Sequence, residues 1–499
     1  MRLATALSLI LLAPPALALT PDELWARWQD QAAAFGLTLT ATATPEGDGL
    51  ALTALALSDG GPVAATPPPG TPLDRVTLTP AGDGAVAIGL ALPATSRFAV
   101  PDSPGSEVQV DQRGLTILAR PDGGRVIYAL AAEALRVGAF AAPSEPFPVT
   151  FGLEAQGLAL SLPDAPDAAG AFPVALSAAG LAYLLDMGDP LSFAQTQTSR
   201  TDGLAMTMTL AVPPGTGLAD LEALGAPVPA GTDALLRLIE GGLGLSLQAS
   251  AGDSDQTDRL QSAFLSYDYR VRSGPSTTSL RLSGEGLAWS LAGEGGTIAG
   301  STPLLPVGEV GVTVGPVALD LRVPFTPRDT AWGLRLSLGD TVLDEAAWSA
   351  FDPGALLPRE PLRAEIDLGG EMAFDLARTI RAEAAGRTAP PPDIRGLDIR
   401  AWDIAFAGGR IQATGSLAFD AAMNPTGSGE LTLAGSSRLL DAGVALGLLS
   451  DQDARGARLA LASFFDPAPG APGGDVLVTR WEVGPGNRLR LNGIDVPLQ

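Results

Sequence analysis

The side chains this chain lacks bound the chemistry open to it. Among its 499 residues there is no His and no Cys, and because Lys is absent too, all 31 basic residues are Arg. A Ser-His-Asp or Cys-His nucleophile system cannot be assembled, and thiol redox chemistry is excluded. No lysine exists for a phosphate-binding loop or a Schiff base, and zinc loses its preferred nitrogen and sulfur ligands. The patterns Gly-x-Ser-x-Gly and Gly-x-Gly-x-x-Gly do not occur.

Carboxylate chemistry remains. The chain has 55 Asp and Glu, so chance pairs are common, and carboxylate-only glycoside hydrolysis is the one hydrolase mechanism left open. Polysaccharide sites also use stacked aromatics, which make up only 5% of the chain. Asp253, Asp255 and Asp258 have the spacing of a calcium loop. The sixth position is Asp258 where Gly is needed, and the twelfth is Phe264 where Glu is needed, so the stretch reads as a solvated turn. Asn424-Pro425-Thr426 carries proline where glycosylation forbids it. The expectation is a protein that is not an enzyme, with no catalytic, cofactor-binding or metal-binding residue.

The formal charge is −24 and the sequence pI about 4.3, which repels phosphate backbones and argues against nucleic acid as a partner. Solubility or adaptation to salt explains the acidity without a partner. The missing Lys fits a G+C-rich genome, where lysine codons are rare.

The N-terminus reads as an export signal. Arg2 supplies the positive start, Leu3–Leu12 the short apolar core, and Ala16-Leu17-Ala18 a small-x-small cleavage site. Residues 1–18 are therefore expected to be a signal peptide cut between Ala18 and Leu19. The apolar core is too short for a membrane span, which needs about 20 residues. The longest later apolar run, Leu439–Leu449, is also too short, so no transmembrane span is expected in the mature chain. The expected location is the periplasm of a Gram-negative cell, in solution or peripheral to the outer membrane, with stability independent of disulfides.

Residues 19–36 read as a short helix. Thr20 and Glu23 have capping-box spacing, Pro21 takes the first helical position, and Leu24, Trp28, Ala32 and Phe35 share one face ending at Gly36. That face needs a partner, most simply the edge or end of the first sheet; a membrane-surface role for Trp25 and Trp28 is the alternative.

Beyond Gly36 the apolar period becomes two. Thr38–Thr42, Leu50 to Leu57 (with a bulge-like slip at Thr53-Ala54), Val76–Leu78, Val86–Leu92, Val108–Leu118, Val126–Leu130, Val149–Leu153 and Leu158–Leu162 read as strands. Pro67-Pro68-Pro69 and Pro163–Pro166 read as connections. A weak helix over Thr216–Leu224 and a better one over Thr232–Ile239 interrupt the pattern. Strands resume at Leu243–Leu247, Tyr267–Val271, Leu280–Leu282, Leu287–Leu291, Val310–Val314, Val317–Val323 and Leu334–Leu338. Trp289, Trp332, Trp348, Trp402 and Trp481 sit among these apolar residues, as core packing or as the lining of a lipid groove.

A boundary is expected at Thr388–Pro392, dividing a β-rich region (19–387, parting into two sub-domains near 215–245) from a C-terminal module (388–499). In that module Leu397–Ala405, Arg410–Thr414, Leu417–Phe419, Glu430–Leu433, Val476–Val483 and Leu489–Leu491 read as strands. Ser436–Leu448 and Asp451–Phe465 read as amphipathic helices, and Gly470–Gly474 as a loop.

Three groups of residues carry a resemblance. They are Leu19-Thr20-Pro21-Asp22-Glu23-Leu24-Trp25; Trp348-Ser-Ala-Phe351-Asp352-Pro353 with Leu357-Pro358-Arg359-Glu360-Pro361 and Ile366-Asp367-Leu368-Gly369-Gly370; and Gly415-Ser-Leu417-Ala-Phe419-Asp420 with Leu439-Leu440-Asp441, Gly447-Leu448-Leu449 and Gly456-Ala457-Arg458. Over nearly the whole mature chain the sequence resembles the bacterial domain of unknown function family 2125, which carries no established activity. More distantly it is similar to AsmA-like proteins, long β-rich envelope proteins linked to lipid transport and outer-membrane assembly; many of those keep an N-terminal membrane anchor, whereas this signal looks cleavable.

The expected fold is a β-rich α+β protein. It has extended or sandwich-like antiparallel sheets, few helices and a C-terminal α+β module. An outer-membrane barrel is the competing fold, against which stand the missing aromatic girdles, the end Val496-Pro497-Leu498-Gln499 and the intervening helices. The expected function is binding or transfer of lipid or another apolar ligand in the envelope. The alternative is a structural or interaction protein acting through its acidic surface on an envelope protein.

Overall fold

The computed structural model describes residues 18–34, 36–58, 74–99, 105–141, 148–189, 193–214, 216, 223–225, 228–304, 307–469, 475–486 and 488–496. The signal segment before Ala18, Phe35, the Pro67–Pro69 stretch, most of the helix expected over Thr216–Leu224 and the Gly470–Gly474 loop lie outside these residues. The fold is β-rich α+β, and the strand pairings whose register is described are antiparallel. None of its described helices is long and apolar enough to cross a membrane.

The chain divides into two units. The first holds residues up to Asp189 with Arg200–Ala226 and Gly241–Leu243; the second holds Pro190–Ser199, Pro227–Glu240 and Gly244–Gln499. The proline run at 388–392 lies inside the second unit, where two strands pair across it.

The first unit opens with α1 (Pro21–Ala34). Then come β1 (Thr38–Glu46), β2 (Gly49–Ser58), β3 (Arg75–Pro80), β4 (Val86–Leu90), β5 (Thr95–Ala99), β6 (Glu107–Arg113) and β7 (Thr116–Asp122). Four long strands follow: β8 (Arg125–Phe140), β9 (Val149–Pro163), β10 (Ala171–Asp189) and β11 (Phe193–Ala211), the last beginning in the second unit. The capping box forms: Glu23 N donates to Thr20 Oγ1 at 3.2 Å, and Thr20 N to Glu23 Oε2 at 2.9 Å. Leu24 and Trp25 then enter a core with Leu50, Leu52, Val76, Leu78, Val86, Ala119 and Val126. Each fully buried Leu or Val there contributes about 1.5–3 kcal/mol. Trp28 Nε1 donates to the Tyr128 hydroxyl at 2.8 Å, and Arg27 and Gln31 bind Asp164. Trp25 and Trp28 are thus turned into the protein, which corrects the membrane-surface alternative. The expected slip at Thr53-Ala54 is a bulge: Thr40 pairs with Ala56 but Thr42 with Thr53, and Ala54 has φ of 52°.

The second unit begins with the first residues of β11 and α2 (Ala230–Glu240). Nine strands follow: β12 (Gly244–Ala251), β13 (Ser254–Ser262), β14 (Ser266–Ser273), β15 (Ser276–Ser283), β16 (Gly286–Gly293), β17 (Gly296–Ser301), β18 (Glu309–Val314), β19 (Val317–Pro324) and β20 (Thr330–Leu343). Then come α3 (Glu345–Phe351), β21 (Leu362–Ala373), α4 (Leu376–Ala384), β22 (Asp393–Ile394), β23 (Gly396–Phe406), β24 (Gly409–Phe419) and β25 (Pro425–Ala434). The chain closes with α5 (Ser436–Ala445), α6 (Asp451–Phe464), β26 (Asp466–Pro467), β27 (Val476–Gly484), β28 (Arg488–Leu491) and β29 (Ile494–Val496).

These strands form two limbs meeting at a line of glycines and prolines. One limb holds β13, β14, β17 and β18; the other begins with β12, β15, β16 and β19. Along the line Gly274 N donates to Gly295 O at 2.8 Å, and Gly339 N to Pro316 O at 2.7 Å. A Cβ on Gly315 would lie 2.6 Å from Gly339 C and from Asp340 N, so only glycine lets the backbones approach so closely.

A candidate ligand face on the second unit

Directly opposed residues of an antiparallel pair project on the same side of the sheet. Following the register across the second unit therefore identifies one face strand by strand. From β12 it carries Leu245 and Leu247, which pair with Leu282 and Leu280 of β15. These meet Leu287 and Trp289 of β16, which face Val323 and Leu321 of β19. Leu319 and Leu321 oppose Leu336 and Leu334 of β20, and these oppose Ile366 and Leu368 of β21. Ile366 opposes Trp402 of β23, Ile404 opposes Ile411 of β24, and Ile411 opposes Leu433 of β25, which meets Leu477 of β27. Ten successive strands thus share one apolar face, roughly 43 Å wide at about 4.8 Å per strand.

The other side of the same strands is charged and laced with ion pairs. Arg335 reaches Glu365 at 3.2 Å, Arg400 reaches Asp367 at 3.4 Å, and Arg480 reaches Glu430 at 3.4 Å. Arg410 Nε donates to Asp403 Oδ1 at 2.8 Å; that bond, with Gln412 as a further donor, holds the Asp403 carboxyl below its ordinary value. Alternation of this kind assigns one face to water and the other to an apolar environment.

That apolar environment is not a closed core. Of the face residues named above none is buried, and Leu282, Trp289, Trp402 and Ile411 are 41%, 38%, 36% and 45% exposed. The cluster of fully buried apolar residues lies instead in the first unit, beneath α1. Of the five tryptophans expected to be core or groove lining, Trp289 and Trp402 stand on this open face. Trp332 and Trp481 are half-buried, and Trp348 is buried.

Helices close part of the face. Pairing of β25 with β27 leaves α5 and α6 as an inserted helical hairpin. Ser450 caps α6 in a full capping box with Asp453. Between the hairpin and the sheet lies an apolar cleft of about 600 Å³, lined by Ile404, Phe406, Ile411, Leu433, Leu461 and Phe464. Nearby, Trp348 of α3 stacks on Phe406 with centroids 5.5 Å apart. Asp352 is fully buried and accepts from Leu357 N at 2.9 Å, Leu356 N at 3.0 Å and Arg359 Nη1 at 2.5 Å. Burial pushes its carboxyl up, but these donors outweigh that and hold it below the ordinary value. The Trp348–Pro361 stretch that carries the resemblance is therefore a structural clasp.

The acidic triplet divides. Asp255 points to the charged side, bound by Arg270 at 2.8 Å through Nε, and Arg272 approaches it at 3.4 Å. Asp258 points the other way and is 4% exposed, so the solvated turn expected there is corrected to a strand with one buried acid. Strand β13 alternates, so Asp255 and Asp258 cannot share a site. Sequence reasoning missed Asp258 because the calcium-loop spacing drew attention to the turn, whereas Gln256, Asp258 and Leu260 alternate as one side of a strand.

In comparison with known proteins, residues 255–479 match the family described as uncharacterized protein conserved in bacteria (DUF2125). The matched segment lies within the second unit and runs from β13 into β27, across the apolar face. The opening motif Leu19–Trp25 lies outside it. No curated protein and no solved structure matches the chain.

Proposed function

We propose that this chain, whose residues 255–479 match that bacterial family, binds the apolar part of lipids on the open face of its second unit and carries them in the cell envelope. The carrying observation is the ten-strand apolar face, whose leucines, isoleucines and tryptophans named above all stay at least partly exposed, with an ion-paired reverse. An apolar surface of this extent left open is a binding surface for something apolar. Its lateral span matches extended hydrocarbon better than a compact polar metabolite. The cleft beneath α5 and α6 has the volume of a small-molecule site and a lining that is nearly all hydrocarbon. The protein acts by binding, without catalysis. Residues 1–18 direct it to the periplasm.

The test is purification of the mature chain from its own periplasm without detergent, followed by solvent extraction and mass spectrometry. Lipid at near one or more molecules per chain is the expected result. Well-folded protein free of lipid would overturn the reading and favour an envelope protein partner for the acidic surface.

A further inference from the structure

The limb formed by β13, β14, β17 and β18 has an apolar side of its own, and that side carries one charge. Register places Gln256 with Val271, Val271 with Ile298 and Ile298 with Val312; Asp258 opposes Tyr269, and Leu260 opposes Tyr267. The other charged groups on β13 and β14 are paired on the opposite side: Asp255 with Arg270 and Arg272, and Arg259 with Asp268. Asp258 alone faces inward. Its donors are neutral: Gln195 Nε2 at 3.2 Å to both oxygens, the Tyr269 hydroxyl at 3.2 Å and Gln197 Nε2 at 3.5 Å. No described Arg forms an ion pair with it. A buried carboxylate is ordinarily matched by a cation, because neutral donors do not neutralise its charge.

Two aromatic rings stand beside it. Tyr267 and Tyr269 stack with centroids 5.6 Å apart and planes at 27°. Burial, then the nearby Asp258 carboxylate, pushes the Tyr267 hydroxyl up. Tyr269 meets the carboxylate through its hydroxyl and Tyr267 stacks on that ring; a carboxylate with aromatic rings close by favours ammonium groups. Asp258 is also five residues beyond Asp253, or about 17 Å along an extended strand from the line where the two limbs meet. Hydrocarbon anchored there can run back along the limb to the ten-strand face.

Building on the lipid-binding reading, we infer that Asp258, with Tyr267 and Tyr269, is the headgroup station of the second unit and selects amphiphiles whose headgroup carries an ammonium cation. The apolar face supplies affinity for the chain, and Asp258 supplies the choice of headgroup.

The experiment measures binding of dodecyltrimethylammonium, dodecyl maltoside and dodecyl sulfate to the delipidated full chain, each below its micellar concentration and in high salt. Calorimetry provides the affinities. The wild type is expected to prefer the ammonium amphiphile over the maltoside by about tenfold or more. Asp258→Asn should bring the two to parity while maltoside binding is retained. Asp255→Asn makes the same change in net charge on the opposite side and should leave the preference intact. Should Asp258→Asn not fold, Tyr267→Leu is the deciding variant, with the preference expected to fall severalfold. Equal affinity for all three amphiphiles, or a preference that survives both Asp258→Asn and Tyr267→Leu, overturns the headgroup station and leaves lipid binding standing. Failure of every amphiphile to bind overturns both.

Discussion

Arg359 lies with its guanidinium carbon 4.6 Å from the centre of the Trp348 ring while its Nη1 donates to Asp352. The two contacts tie the loop after α3 to the helix, and Trp348 passes the restraint to Phe406 beneath the cleft. Asp352→Asn and Arg359→Lys should both lower the melting temperature by several degrees. The lysine keeps the charge but loses the planar fork and the stacking. A melt of Arg359→Lys indistinguishable from wild type would show that the clasp is not a restraint.

The edge of Trp481 covers Gly429. A methyl group at that position would lie 2.4 Å from the ring carbon Cζ2 and 2.2 Å from the Thr414 carbonyl oxygen. Gly429→Ala should therefore destabilise the second unit by about 1–3 kcal/mol, the range for overpacking. Denaturant unfolding followed by tryptophan fluorescence measures it, and a neutral result would mean that the ring moves aside freely.

In the first unit, Leu24 is fully buried between α1 and the sheet. Leu24→Ala should cost about 2–5 kcal/mol. Because the ten-strand face belongs to the other unit, lipid content per folded chain should be unchanged in the same preparation.

A charge on the apolar face should do the reverse. Leu336 is half-buried on β20 with Leu319 and Ile366 opposite. Leu336→Arg should abolish most lipid co-purification and lower thermal stability less than Leu24→Ala does. On the other side of the same strand, Arg335→Ala removes an exposed ion pair and should cost only about 0.2–1 kcal/mol, with lipid content unaffected. Loss of lipid in both variants would remove the distinction between the two faces.

The pH profile should be flat across neutrality, since the chain has no His, Cys or Lys to titrate there. At the acid side, bonds from Arg363 to Asp340, from Arg270 to Asp255 and from Arg410 to Asp403 hold these carboxyls below their ordinary values. Protonation then favours the unfolded chain. The stability they contribute is complete above about pH 4 and is lost as pH falls through the folded values. At the alkaline side, burial raises Tyr128, so its contribution is complete below about pH 10 and is lost as pH rises beyond it. Thermal melts between pH 3 and pH 11 should show a plateau bounded by these two declines.

Much of this architecture is written in period-two alternation. Strand limits such as Leu397–Ala405 and the helix pair at Ser436 and Asp451 are legible within a few residues. What alternation hides is continuity. Val149–Leu153 and Leu158–Leu162 read as two strands because their apolar residues are out of phase, yet β9 runs through both. Gly157, at φ of 58°, absorbs the slip without ending the pairing. Helix α3 escaped notice because its seven residues are too few to show a period, although Asp344 is a readable cap that accepts from Ala347 N at 2.6 Å. The apolar face itself was out of reach, since it exists only when the register of ten strands is known. Any one strand, such as Leu334-Arg335-Leu336, looks like half of an ordinary sandwich.

The antiparallel order of the second unit has a consequence for how such a chain can change in length. Each pair of neighbouring strands joined by a short turn, such as β15 and β16, adds two rungs and carries its own turn. Duplicating or deleting one such pair would alter the apolar width by about 10 Å. The packing beneath α1 and the Arg359 clasp would stay as they are. On the proposed lipid-binding reading, hydrocarbon capacity would follow a count of hairpins, a quantity that insertion and deletion can adjust in whole steps while substitution cannot.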